Sequence, residues 1–60
     1  MWEYKTRRFN SIELPMYKFD EYLNKEGKER WELVNLNTEY LIDNPSMVAN
    51  NTFIFKRRVE

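Results

Sequence analysis

The chain has 60 residues, with ten basic and ten acidic side chains, no histidine and no cysteine. Balanced charge excludes a general attraction to nucleic acid or anionic membrane, and no apolar run approaches the roughly 20 residues that span a bilayer. Without cysteine or histidine, neither a disulfide framework nor a Cys/His metal centre can hold so small a core, which leaves oligomerisation as the common remaining device.

The first predicted element is a strand over residues 2–9. Trp2, Tyr4, Thr6 and Arg8 alternate with Glu3, Lys5, Arg7 and Phe9. The set with Trp2 and Tyr4 is the expected core face, and Phe9 falls out of phase with it, as at a strand end or a bulge. Asn10-Ser11 begins a loop. A helix is predicted over 15–27, with Pro15 in its first turn and Met16, Phe19, Tyr22 and Leu23 on its apolar side. Asp20, Glu21 and Lys25 take the wet side, and Glu21 and Lys25 are four apart in the favourable acid-first order. Gly27, the only glycine, is placed to end the helix as a left-handed cap.

The second strand is predicted over 31–41. Trp31 and Leu33 face one side and Val34, Leu36 and Tyr40 the other, so both faces are apolar. Asp43-Asn44-Pro45-Ser46 is turn chemistry, Met47-Val48-Ala49 extends the loop or forms an irregular edge, and Asn50-Asn51 is a second turn signal. The connection of roughly ten residues (42–51) is longer than the usual 2–5 of a hairpin, and long loops often carry binding. The third strand is predicted over 52–58, with Phe53, Phe55 and Arg57 on one side and Thr52, Ile54, Lys56 and Arg58 on the other.

The order β-α-β-β gives one α+β domain over residues 1–60. A helical crossover makes strands one and two run in the same direction, and strand three turns back. The most apolar run, Phe53-Ile54-Phe55, belongs in the middle. The expected sheet is therefore antiparallel in the order two-three-one, with the helix on one face. The other face keeps apolar side chains and is expected to mediate self-association. High aromatic content (two Trp, four Tyr, four Phe) indicates a folded chain despite a mean hydropathy of −0.87. Abundant Asn, Lys, Glu and Tyr beside a single Ala suggests an AT-rich genome, bacterial or viral. The first residues lack a basic-then-apolar leader pattern, so a cytoplasmic location, bacterial or in a phage host, is the default.

Trp2-Glu3-Tyr4-Lys5, Leu23-Asn24 through Gly27, Trp31-Glu32-Leu33-Val34 and Phe53-Ile54-Phe55-Lys56-Arg57 together resemble a family of short bacterial and phage domains of unknown function. Its members open with a WEYK-like strand, carry Gly-x-x-Gly-Trp-Glu-Leu-Val after the helix and end in a Phe-x-Phe-Lys-Arg-like strand. The resemblance spans nearly the whole chain and implies the fold, not an activity. It departs at Arg30, where the family usually has a second glycine. The layout is also similar to that of dodecin-type flavin-binding oligomers, a topological likeness that carries no function.

No Ser-His pair and no phosphate-cradling glycine loop exists in the sequence, so the chain is not expected to be an enzyme. Glu3 and Glu32 are the carboxylates nearest tryptophans, but the plainer reading has them on the solvent side, paired with Lys56 or Arg58. No cofactor and no metal are expected. Trp31, Tyr40 and Arg57, with Lys56 and Arg58, are the candidate binding residues for a protein partner or a flat, nucleotide-like ligand. The plainer reading of Trp31 is a core residue against the helix, since aromatic residues dominate small cores. Arg7-Arg8 and Lys56-Arg57-Arg58 beside aromatics raise the alternative of a nucleic-acid-binding accessory protein. The reading is a non-enzymatic, homo-oligomeric binding module, with a phage inhibitor or sequestering protein as one form of it.

Overall fold

The computed structural model describes residues 1–40 and 48–59. Strands β1 (Trp2–Asn10), β2 (Glu32–Tyr40) and β3 (Ala49–Arg58) form one sheet in the order β1-β3-β2. Both pairings are antiparallel, so the α+β layout and the strand order read from the sequence are those observed. A 3-10 turn (Met16–Lys18) leads into helix α1 (Phe19–Gly27), which lies on one sheet face. Pro15 precedes the turn with an extended backbone rather than sitting inside the helix.

The covered face is built from an aromatic cluster. Phe53 and Phe55 are 0% and 1% exposed, and Phe53 meets Phe9, Phe19 and Tyr22 edge-on at 5.2–6.2 Å between ring centres. Phe9 is thus in phase with the core, which corrects the expected polarity of β1. Lys5 pairs with Phe55 and Arg7 with Phe53 in register, so the Glu3–Phe9 set faces the helix and Trp2, Tyr4, Thr6 and Arg8 face away. Exposure agrees, at 45% for Trp2 and 63% for Tyr4.

A bulge settles the ambiguity in β2. Leu33 pairs with Phe55, but Asn35 pairs with Ile54, so one extra residue is inserted at Val34. The phase flips there. Leu33 before it and Leu36, Thr38 and Tyr40 after it all share the helix side, while Val34 and Asn35 oppose Ile54 on the open side. The expected split of Leu33 from Leu36 and Tyr40 therefore does not hold.

β3 begins at Ala49, three residues before the predicted start at Thr52. Asn50 and Asn51 are paired on both sides rather than turning, and buried Asn51 accepts a 2.7 Å hydrogen bond from the Thr38 hydroxyl. The predicted turn at 43–46 and Met47 lie outside the described residues. At the same end of the sheet, across from Asn50, Asn10 Oδ1 accepts from the backbone of Ile12 and Glu13, and Glu13 Oε1 accepts from Asn10 N. This reciprocal pattern ends β1 and starts the connection to α1.

Helix α1 ends differently from the sequence expectation. Trp31 N donates to Glu26 O (3.1 Å) and Arg30 N to Gly27 O (2.9 Å), the paired bonds of a Schellman cap. The left-handed position of that cap is Arg30, with φ 69°, while Gly27 has no positive φ. Gly27 is a helical residue three positions before the one that needs glycine's freedom.

Candidate functional site

Nine helical residues at ~1.5 Å each cover about 14 Å, whereas a nine-residue strand runs about 30 Å. One short helix covers part of one face. The opposite face has no covering element among the described residues, and its side chains follow from the register. Along it lie Trp2 beside Arg58, then Tyr4, Lys56 and Glu32, then Thr6, Ile54 and Val34 with Asn35, then Arg8, Thr52 and Asn37, then Asn10, Asn50 and Glu39. Apolar and aromatic groups (Trp2, Tyr4, Ile54, Val34) fill one half of this surface. Cations line its β1–β3 side, and the carboxylates Glu32 and Glu39 line its β2 side.

Two contacts order the open face. Lys56 Nζ sits 4.3 Å from the centre of the Trp2 ring, a cation–π contact that draws the ammonium toward β1. Arg8 Nε donates to Thr52 Oγ1 at 3.3 Å.

The covered face holds a second cluster where the helix ends. Arg57 pairs with Glu3 across the β1–β3 ladder, and its Nη1 donates to Glu29 O at 3.2 Å. Its guanidinium lies 4.3 Å from the Trp31 ring centre. Trp31, half-buried, is therefore clamped between Arg57 and Lys5, whose ammonium is 4.6 Å from the same ring. Lys5 forms a 2.7 Å salt bridge with Glu26, the buried carboxylate of α1. Tyr22 OH donates to the same oxygen, Glu26 Oε2, at 3.1 Å.

The titration of these groups follows from the geometry. Burial alone would raise the Glu26 carboxyl, but hydrogen bonds from Lys5 and Tyr22, with the charges of Lys5 and Arg7, outweigh it and hold the group below its ordinary value. Burial, then the hydrogen bond and charge of Glu26, pushes the Tyr22 phenol up to about 12. Both shifts fix one protonation state, an anionic carboxylate with a neutral phenol. That state suits a structural tie between helix and edge strand. A general base needs a value near the working pH.

The five sequence-predicted binding residues are not brought together. Trp31 and Arg57 are in contact on the covered side. Tyr40, 67% exposed, is on the same side but at the far end of β2, opposite Ala49. Lys56 and Arg58 are on the open face. The predicted Arg7-Arg8 cluster is split in the same way, Arg7 toward the helix and Arg8 away from it. Glu3 pairs with Arg57 on the covered side rather than with Lys56 or Arg58 on the solvent side, because β1 presents the opposite face from the one expected. Glu32 does lie directly across from Lys56.

Trp2 and Tyr4 were not among the predicted binding residues, and Arg8 entered only with the nucleic-acid alternative. Their signal was present in the phase of Phe9, which shares a face with Glu3 and Lys5. Large aromatics at Trp2 and Tyr4 outweighed it, although one phenylalanine in phase with the Phe53-x-Phe55 pair locates the core better than two amphipathic rings. Among the described residues no group of three or more His, Cys, Asp or Glu is placed to hold a metal ion, and no helix is long and apolar enough to cross a membrane. Comparison with models of protein families, with curated proteins and with solved structures gave no match.

Proposed function

We propose that the protein is a non-enzymatic binding module that works as a homo-oligomer assembled through the uncovered face of its sheet. The observation that carries this reading is that face itself, where Trp2, Tyr4, Val34 and Ile54 lie on one uncovered side of the sheet, interleaved with Lys56 and Glu32. Patches of this kind on small domains mark interaction sites. The small core supports the same reading, since among the described residues only Ala49, Phe53 and Phe55 are buried apolar side chains. A cytoplasmic module of bacterial or phage origin, engaging a protein partner or a small ligand, fits the resemblance to the WEYK-type domains. A role as a phage inhibitor or sequestering protein is one form of it.

Native mass spectrometry of freshly purified protein tests the reading. The expected spectrum shows assembled subunits, with any co-purified ligand as added mass. A spectrum of single, ligand-free chains at every concentration contradicts it.

A second reading has one observation in its favour. Arg8, Lys56 and Arg58 share the open face with Trp2 and Tyr4, the combination of cations and rings that holds single-stranded nucleic acid. Against it, Lys56 already occupies a face of the Trp2 ring that a base would need, and Glu32 and Glu39 lie on the same surface. Oligonucleotide binding at two salt concentrations separates the readings, since a nucleic-acid module binds tightly at low salt and loses affinity steeply as salt rises.

A further inference from the structure

We infer that the occupant of the open sheet face is a second copy of this chain, turned over about an axis parallel to the strands so that β2 of one copy lies on β1 of the other. The inference rests on the self-association reading above and adds the partner's orientation and the groups that select it.

The charge pattern carries it. On the open face Arg8 sits on the edge strand β1, Lys56 and Arg58 on the central strand β3, and the anions Glu32 and Glu39 on the edge strand β2. A two-fold axis along the strands exchanges the two sides. Arg8, and Lys56 once it is drawn toward β1 by Trp2, then lie toward the partner's Glu39 and Glu32, and both contacts form at once, as a two-fold interface requires, while Arg58 on the central strand lies at the axis opposite its own copy. Glu32 comes down beside the partner's Tyr4 and Lys56, and Arg8 beside the partner's Glu39. Ile54 lies near the axis and meets its own copy, with Val34 over the partner's Thr6. Lys56 would meet its own copy at the axis if it stood upright, but its contact with Trp2 draws it off the axis, toward the margin where the partner's Glu32 descends. An axis across the strands instead stacks β1 on β1 and β2 on β2, like charge on like.

Area sets the strength of the contact. Three strands at ~4.8 Å spacing and about 30 Å of length give a footprint of about 450 Å² per copy, or about 900 Å² in all. That falls below the roughly 1,000 Å² of a stable specific complex and is the size of a weak, transient one. The dimer is therefore expected to be concentration-dependent, with complementary charge setting its register.

Charge reversal tests the arrangement. One variant carries Glu32→Lys with Glu39→Lys, the other Arg8→Glu with Lys56→Glu. Glu32, Glu39 and Arg8 are exposed and Lys56 is partly so, so circular dichroism is expected to report a native fold in each. Light scattering should find each variant monomeric at a concentration where the unchanged protein is dimeric, and an equal mixture should regain the dimer mass. Native mass spectrometry should identify that species as mixed. If the unchanged protein is dimeric but the variants remain so, or the mixture fails to associate, the arrangement is wrong while self-association stands. If the unchanged protein is monomeric throughout, self-association itself fails. Salt provides a check without mutation. Four symmetry-related ion pairs should weaken dimerisation about tenfold between dilute and ~0.5 M salt, and a dimer indifferent to salt overturns the charge pairing.

Discussion

Replacing Gly27 by alanine should stabilise the protein, although Gly27 is the chain's only glycine and stands at the end of its helix. Gly27 has no positive φ, and a Cβ built on it meets nothing within 4 Å. An alanine there adds no clash and removes the conformational entropy that glycine carries in the unfolded chain, a gain of about 0.5–1 kcal/mol. The residue under strain is Arg30, at φ 69°. A left-handed backbone costs a non-glycine residue roughly 1–2 kcal/mol, and glycine's own entropy offsets part of that. Arg30→Gly is therefore expected to stabilise by about 0.5–1 kcal/mol. In a domain of this size each kcal/mol moves the melting temperature by about 4–8 °C. Thermal unfolding by circular dichroism, at one fixed protein concentration because association would shift the midpoint, should show Tm rising about 2–8 °C in each variant. The two positions share one helix terminus but act through separate residues, so the double variant should gain nearly the sum. A fall in Tm for Gly27→Ala would place the left-handed cap at Gly27 and refute the assignment of Arg30 as the capping residue. An unchanged Tm for Arg30→Gly would show that Arg30 is not strained.

Further outcomes follow from the covered face. Phe53→Ala removes the ring at the centre of the aromatic cluster and should cost about 3–5 kcal/mol, enough to abolish the cooperative unfolding transition at room temperature. Lys5→Met leaves the Glu26 carboxylate without its cation and should cost about 2–3 kcal/mol in denaturant titration, whereas Lys5→Met with Glu26→Leu should recover most of that loss. Because the folded Glu26 lies below its ordinary value of 4.5, its contribution is complete above that value and is lost as pH falls through the folded pKa. Stability measured from pH 7 down to pH 3 should therefore fall less steeply in Glu26→Gln. Tyr22 acts in the opposite direction, since its raised pKa favours the fold below pH 10 and withdraws that support between 10 and about 12. A phenol ionising late, near 12, should be visible by ultraviolet absorbance and missing from Tyr22→Phe.

Much of the fold was legible because period and connection rules act over whole elements. A crossover helix between two strands and a strongly apolar Phe53-Ile54-Phe55 run were enough to place β3 in the middle. The details that failed each turned on a single residue. The bulge at Val34 inserts one position and reverses the phase of β2, and alternation alone cannot announce it. Polarity of β1 was misread because Trp2 and Tyr4 look like core, yet here they form an uncovered surface while Lys5 reaches inward to pair with Glu26. Gly27 drew the cap to itself because glycine is the usual left-handed residue. The departure at Arg30 from the resembling family's second glycine was the better clue. The binding residues were the least legible part. Trp31 and Arg57 meet, and Lys56 and Arg58 lie on the opposite face of β3 as its alternation predicts, but which β1 and β2 side chains join them depends on the phases that Trp2, Tyr4 and the bulge obscured.

The central claim is that the open sheet face, with Ile54 at its middle, is covered by association. Light scattering coupled to size exclusion, run as a dilution series on the unchanged chain and on Ile54→Lys, measures it most directly. The account predicts a mass near twice 7.5 kDa for the unchanged protein, falling toward 7.5 kDa on dilution, and 7.5 kDa throughout for the folded variant. A well-folded unchanged protein that stays at 7.5 kDa at every concentration contradicts it.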